Sequence, residues 1–366
     1  MRVLALKIFR VKLPLVSPFR TSFGTQTVRD IMLVKITTDV GDGWGECAVL
    51  EEPLYNEEFV DGAQMVIERW LFPMLRASGD FQVEEVSLLL GKIKGHRGAK
   101  AGLEMALLDA HLRSTNVSLA SFLGGVRSQV EVGVSVGIPD SLDALVTTVG
   151  NYVEQGYKRV KLKIEPGFDV LPLQAVRTAF PNLMLQCDAN GSYASTDIAH
   201  LLELDEFNMI LIEQPFAEDD MESHVLLARA MDTPVCLDES VVSLNTAISA
   251  VECGAADVIN IKIARVGGVL EARAIHDYCA SRDIPVWCGG MLESGVGRAA
   301  NIALASMTNF VFPGDISASD RYFARDVVTE PFTLDGSTLH VPRGTGLGVV
   351  VDEEFLLQSG SEVTVL

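Results

Sequence analysis

Lys163, Asp188, Glu213, Asp238 and Lys262 follow one another at intervals of 25, 25, 25 and 24 residues. Each stands at or near the end of a short apolar run: RVKLKI, LMLQCDA, MILIE, PVCLD and DVINIK. Helix-length amphipathic segments separate these runs, a rhythm that predicts parallel βα units. In a closed barrel the C-terminal strand ends share one face, so the five charged groups would converge on a single mouth. Random placement would rarely leave one charge at each of five successive strand ends, and this face is where chemistry is expected.

Asp188, Glu213 and Asp238 offer hard oxygen donors without thiol or imidazole, a set suited to one Mg²⁺ or Mn²⁺ with positions left for water and substrate. The plain alternative is that each carboxylate caps a helix or pairs with a lysine. Three in consecutive register, with no arginine beside them in the sequence, favour the metal. Lys161 and Lys163 lie two apart on a strand and so share a face, with Val160, Leu162 and Ile164 turned outward. One ammonium close to another is expected to be easier to deprotonate, giving a usable base. An exposed edge strand would also carry alternating lysines, but the neighbouring runs read as buried on both sides. Asn260 and Lys262 repeat the inward spacing on the opposite wall. A base on each side of a bound cation is what removal of a weakly acidic proton beside a carboxylate requires, because the enediolate formed carries concentrated negative charge.

Eight strand-like runs are needed to hold these groups, and eight are present: residues 130–138, 159–164, 183–189, 209–213, 234–238, 257–262, 284–290 and 309–315. They predict an α/β fold, a modified TIM barrel of (β/α)7β type over 126–324, whose helical pattern fades after Asp315. Residues 1–125 instead show strands (Val3–Val11, Ile31–Thr37, Gly45–Leu50) followed by helices (Glu58–Leu71, Ala99–Ser114), the pattern of a separate α+β capping domain. The tail, about 325–366, contains TLHVP and EVTVL and is expected to return to that first unit.

The bulk composition is compatible with this plan. The 366 residues are 48% hydrophobic and 21% charged, ample for a large core. With 29 basic against 49 acidic residues the net charge is -20, which argues against nucleic acid and anionic membrane surfaces as partners. The uncharged stretch 299–314 is interrupted by the polar residues Asn301, Ser306, Thr308 and Asn309, so it reads as a buried helix and strand, not a membrane span. MRVLALKIFRVKLPL alternates like a strand and lacks the apolar core of a signal peptide. Six scattered cysteines with no CxxC pair point to neither zinc nor a disulfide framework, and a reducing cytoplasm is the expected setting.

Other patterns carry less. GDGWGE lacks the strand–turn–helix setting of a nucleotide loop and is expected to be a hairpin turn. GVGRAAN opens a helix after a strand, where it could bind an anion or allow close packing. None of the six histidines forms an HxH pair or sits at a strand end, which disfavours a zinc hydrolase barrel.

The blocks VKLKIEPG, DAN (188–190), IEQP (212–215), LDES (237–240), NIKIARVGG, CGGMLESGVGRAAN and PGDISASDRYF resemble the enolase superfamily. Within its muconate-cycloisomerase-like subgroup they resemble the o-succinylbenzoate synthase / N-succinylamino acid racemase family. A lysine base working with Mg²⁺ is the arrangement that superfamily is known for. The resemblance spans nearly the whole chain. It implies Lys163 as the proton-abstracting base, tuned by Lys161, and Lys262 as base or acid on the other face. It implies a metal on Asp188, Glu213 and Asp238, with Asn190 and Glu239 supporting metal or substrate and Arg265 modulating Lys262. Ser135 and the backbone around Gly290 and Leu292 would line the pocket, and cap loops bearing Phe19, Phe23 and Tyr55 would close over it.

The implied substrates are small carboxylates, and a homo-oligomer is expected. Implied activities are dehydration of 2-succinyl-6-hydroxy-2,4-cyclohexadiene-1-carboxylate in menaquinone biosynthesis and racemisation of N-succinylamino acids, which use one constellation. Dipeptide epimerisation is a rival, but family members of that kind carry Asp-x-Asp where this chain reads Asp315-Ile316-Ser317. Muconate cycloisomerisation fits the Arg265 block less well. A catalytically silent acid-binding barrel is the non-enzymatic alternative, and the intact lysines and carboxylates speak against it.

Overall fold

The structure is a computed structural model that describes residues 1–21 and 24–366. Phe23 lies outside the described residues. Three long strands open the chain: β1 (Val3–Thr21), β2 (Gly24–Thr38) and β3 (Gly41–Cys47), paired antiparallel in sequence order. GDGWGE is therefore not a turn but the body of β3, and the turn precedes it at residues 39–40. Its glycines serve packing. A Cβ on Gly43 would run into the backbone of Ala106 and Ala110, and one on Gly45 into Gly102, so the helix Arg97–Ser114 lies directly on the strand. That helix is rich in alanine and leucine, strong helix formers, and most of its residues are buried. Its first residue follows His96 in left-handed conformation with no side-chain cap. Glu58 supplies the missing acceptor, receiving Gly98 N at 3.0 Å and Ala99 N at 3.4 Å.

Next comes β4 (Gln129–Glu131), followed by seven parallel strands in unbroken spatial order: β5 (Val134–Val136), β6 (Arg159–Lys163), β7 (Met184–Asp188), β8 (Ile212–Glu213), β9 (Val235–Leu237), β10 (Val258–Ile261) and β11 (Val286–Cys288). Almost every residue of these strands is buried, as expected when helices cover one face and the barrel interior the other. The eighth run, 309–315, bridges the two edges. Val286 N bonds Asn309 O at 3.2 Å on one side, and Gly133 N bonds Gly314 O at 2.8 Å on the other. The α/β barrel of (β/α)7β type is thus closed without an eighth regular helix.

Two expectations need correction. The run 130–138 is not one strand. Its start is β4, paired antiparallel with β12 (Thr338–His340), and only β5 enters the barrel. The tail accordingly divides. TLHVP goes to β4 beside the barrel, while β13 (Glu362–Val365) pairs with β1 and extends the first sheet. No helix among the described residues is long and apolar enough to cross a membrane.

Candidate active site

The barrel register brings Lys163, Asp188 and Glu213 into one row. Lys163 pairs with Asp188 across β6 and β7, and Asp188 with Glu213 across β7 and β8. Lys161 lies one layer deeper, opposite Gln186, with Ser135 beside it on β5. Lys163 Nζ donates to Asp188 Oδ2 and Asn190 Oδ1, both at 2.6 Å. Lys161 Nζ reaches Glu213 at 2.8 Å, Asp188 at 3.1 Å and Asp315 at 2.7 Å. Asn260 Nδ2 and Gln186 Nε2 donate to the two oxygens of Glu213 at 2.8 and 3.2 Å.

On the far wall, Asp238 and Lys262 stand just past the ends of β9 and β10. Lys262 Nζ donates to Asp238 Oδ2 at 2.7 Å and to the Tyr55 hydroxyl at 3.0 Å, with the Tyr55 ring centroid 4.5 Å away. The Arg265 guanidinium is pressed against Asp238 and donates to Val241 O at 2.8 Å. An arginine does therefore compensate one carboxylate, contrary to the sequence reading. It comes from the short helix Ile263–Val266 that follows β10, across the strand boundary from its partner.

Electrostatics at the mouth are dominated by burial against paired charges. Burial alone would lower Lys161, but Asp315, Glu213 and Asp188 outweigh it and push its ammonium well above the ordinary lysine range. Lys262 is likewise opposed by burial and carried upward by Tyr55, Glu239 and Glu213. At both, carboxylates crowd the ammonium more closely than other ammoniums do, and their attraction outweighs burial. Burial raises Glu213, reinforced by the like charge of Asp188. Asp188 is held well below the usual carboxylate range, against burial, by Lys163 and Lys161.

The remaining candidates fall into two groups. Asn190, two residues past Asp188, takes the left-handed region at φ 44° and links Lys163 to Glu239, donating to Glu239 Oε1 at 2.8 Å. Tyr55, Asn190 and Glu239 line a cavity of about 170 Å³ between cap and barrel, together with Gln214 and Glu218. Gly290 backs onto Asp315 O, and Leu292 is held at φ 55° in the following loop. Ser135 is buried, and its hydroxyl has no hydrogen-bond partner among the described residues. Phe19 is buried at the tip of β1, next to Arg20, whose carbonyl accepts Ile138 N at 3.2 Å from the barrel. No described contact ties Phe19 itself to the lysines.

Four participants were missed in the sequence: Asp315, Arg159, Trp287 and Gln214. Asp315 bonds Lys161 and is itself gripped by buried Arg159 at 2.6 Å. Trp287 lies under both cations, 5.3 Å from Arg159 and 5.0 Å from Lys161. Gln214, at φ 39°, accepts Asp238 N at 3.0 Å and Ser240 N at 3.3 Å, tying the end of β8 to that of β9. Arg159 continues the i, i+2 spacing of Lys161 and Lys163, which is the one signal that could have exposed it.

Two family matches cover most of the chain. Residues 3–124 match the mandelate racemase / muconate lactonizing enzyme N-terminal domain, and residues 144–355 match the enolase C-terminal domain-like family. This chain belongs to the enolase superfamily. Within that superfamily it is a member of the o-succinylbenzoate synthase / N-succinylamino acid racemase family. It is 53% identical to an N-succinylamino acid racemase of Amycolatopsis sp. over 357 residues, 97% of each chain. It is 43% identical to an o-succinylbenzoate synthase of Enterococcus faecalis over 98% of each. A solved enolase-superfamily structure from Listeria innocua superposes with a TM-score of 0.96 at 40% identity, covering 100% of this chain and 99% of that one.

Enolase-superfamily members bind a divalent metal. In the present arrangement no three His, Cys, Asp or Glu side chains among the described residues stand together as a metal site. The carboxylates of Asp188, Glu213 and Asp238 are each turned to a lysine or arginine. Their chemistry nevertheless fits a hard cation. The donors are all oxygen, two share one row of the sheet, and buried Glu239 Oε2 nearby has no hydrogen-bond partner among the described residues.

Proposed function

We propose that this enolase-superfamily member is an o-succinylbenzoate synthase. It would dehydrate 2-succinyl-6-hydroxy-2,4-cyclohexadiene-1-carboxylate to o-succinylbenzoate in menaquinone biosynthesis, and it would racemise N-succinylamino acids at the same site. The observation that carries this reading is the placement of Lys163 and Lys262 at either end of five adjacent strands, with the carboxylates on the strands between. Substrate between the two walls would present its α-carbon to a lysine on each side.

Asp188, Glu213 and Asp238 would hold one Mg²⁺ or Mn²⁺, which supplies positive charge to the substrate carboxylate as its α-proton leaves. Lys163, as the free amine, takes that proton. The electron pair passes toward the carboxylate and then expels the neighbouring hydroxyl, which takes the proton back from the Lys163 ammonium and departs as water, and the ring becomes aromatic. Lys161 binds the substrate carboxylate, and Asn190 and Glu239 steady Lys163 and the metal. Lys262 supports the developing charge on the other face, with Arg265 holding Asp238 beside it. For racemisation Lys262 delivers or removes the proton on its own side. Ser135, Gly290 and Leu292 would line the pocket, and Phe19 and Tyr55 would belong to the part of the cap that closes it.

Racemisation as the main activity has specific support in the 53% identical Amycolatopsis racemase, so both substrates belong in the test. Metal-loaded protein is mixed with the cyclohexadiene carboxylate, following loss of the diene chromophore, and separately with N-succinylamino acids, following optical rotation. Turnover of the diene that disappears in Lys163→Ala supports the synthase reading. Racemisation without dehydration overturns it in favour of the second reading, and turnover of neither sinks both. Six free cysteines, most of them buried, are consistent with a cytoplasmic enzyme, and a homo-oligomer is the proposed assembly.

A further inference from the structure

Glu46, the penultimate residue of β3, is a carboxyl group with only 2% of its surface exposed, and it reaches out of the cap into the barrel. It enters the N-terminus of the helix Gly295–Ala305, which has eleven residues and follows β11. Ser294 N donates to its two oxygens at 3.0 and 3.1 Å, Ser294 Oγ to Oε2 at 2.6 Å, and Gly297 N to Oε2 at 2.9 Å. The helix start in GVGRAAN is thus occupied by the protein's own carboxyl group. Gly297 has to be glycine, because a Cβ there would stand 2.9 Å from Glu46 Oε2 and 2.8 Å from Glu293 Cγ.

The elements joined by this contact both touch Lys262. On the barrel side, the loop leading to Ser294 begins at Gly289, where a Cβ would meet Lys262 Cε at 2.8 Å and Asn260 Nδ2 at 2.7 Å. On the cap side, the chain continues from Glu46 through Ala48 and Leu50, which pack with Met291 of the loop, Ala264 and Tyr55. Tyr55 then meets Lys262 and Asp238. Two paths therefore run from Glu46 to one ammonium, one through the loop and one through the cap.

We propose that Glu46 is a positioning residue, whose carboxylate locks the cap to the Gly289–Ser294 loop and so sets the place of Tyr55 and of that loop around Lys262. The inference rests on the reading that Lys262 works at the α-carbon. It adds that the cap acts on one face of the substrate through this anchor. Lys163 stands on the other wall, bonded to Asp188 and Asn190. Loss of the anchor therefore harms one lysine selectively, where a general loss of stability would harm both.

The experiment compares Glu46→Gln with the unaltered full chain. A glutamine carbonyl can take the place of Oε2, but its amide then turns a donor toward Ser294 N and the negative charge is gone, so the grip weakens while volume is kept. Amide hydrogen exchange followed by mass spectrometry should be about tenfold faster across residues 289–297 and unchanged across 159–163; unchanged exchange at 289–297 would overturn the anchor. In deuterated water, α-proton exchange from the N-succinylamino acid enantiomer that depends on Lys262 should fall about tenfold in kcat with little change in KM. The enantiomer that depends on Lys163 should be spared, and equal losses for both would refute the proposal. Lys163→Ala and Lys262→Ala assign the enantiomers. If those variants fail to separate them, the parent reading of Lys262 falls, and amide exchange still decides the anchor. Should Glu46→Gln not fold, Ser294→Ala removes one donor and must give the same one-sided pattern at smaller amplitude.

Discussion

Tyr55 and Lys262, 207 positions apart in sequence, meet with ammonium over ring at 4.5 Å and nitrogen to hydroxyl at 3.0 Å. The cap thereby contributes a side chain to the barrel mouth. Tyr55→Phe keeps the ring and removes only the hydroxyl, and its Lys262-dependent proton exchange should fall several-fold. Tyr55→Ala also removes the cation–π contact, roughly 2 kcal/mol for a desolvated pair, and exchange should fall about thirtyfold further. Wild-type exchange in Tyr55→Ala would show that the contact has no part in the chemistry.

Calorimetric titration with Mg²⁺ or Mn²⁺ tests the carboxylates directly. Glu213→Gln should weaken binding by more than about tenfold, because a neutral amide replaces an anionic ligand. Chelation of the wild-type protein should abolish turnover, and restored metal should return it. Unaltered affinity in Glu213→Gln would remove that residue from the proposed metal site.

Lys163 and Lys262 are separated in the sheet order by β7, β8 and β9. Lys163→Ala should abolish solvent-deuterium exchange from one enantiomer of an N-succinylamino acid, and Lys262→Ala from the other. If both variants lose exchange from the same enantiomer alone, the lysines share a face of the substrate, contrary to the arrangement proposed.

Phe19 and Tyr55 also test whether the cap chooses substrates. Phe19→Ala should shift preference among N-succinylamino acids of different side-chain size more than it slows exchange of the best one. A uniform loss across substrates would assign Phe19 to folding instead.

Glu104 gives a pH prediction away from the mouth. It is buried between cap and barrel, accepting Leu270 N at 2.9 Å and Ser87 Oγ at 2.7 Å. Burial pushes its carboxyl up to about 7 from 4.5, against those hydrogen bonds. The folded state then binds the proton more tightly than the unfolded state, so stability from this group is full below about 4.5 and is lost as pH rises through 7. The span is on the order of 3 kcal/mol. Glu104→Gln should flatten the fall of Tm between pH 5 and 8, in scans at about those pH values. An unchanged slope would mean that Glu104 ionises freely in the fold.

The barrel was legible because buried parallel strands are short apolar runs, and a charge at the end of each has no business there unless several meet. The residues 163, 188, 213, 238 and 262 carried that signal without any tertiary information. Arg159 and Asp315 were not legible as partners, since their contact exists only after 309–315 closes the barrel against β5. Arg265 sits three positions past Lys262, yet its turn back onto Asp238 depends on the short helix that begins at Ile263. GDGWGE misled because glycines that permit a helix to lie on a strand look the same in sequence as glycines that turn a chain.

The pairing of β13 with β1 has a bearing on how the molecule is made. Lys7 faces Val365, and Leu6 and Leu366 exchange backbone hydrogen bonds at 3.1 and 2.9 Å. The whole barrel sequence lies between those two strands. A chain leaving the ribosome therefore carries β1 with one edge unpaired until every barrel strand has emerged. Such an edge is a template for pairing with other chains, so the interval is one of exposure to aggregation. Contacts this distant in sequence also form slowly. The two units cannot be separated by trimming one end, because the last strand of the cap is delivered only by the chain that has first traversed the barrel.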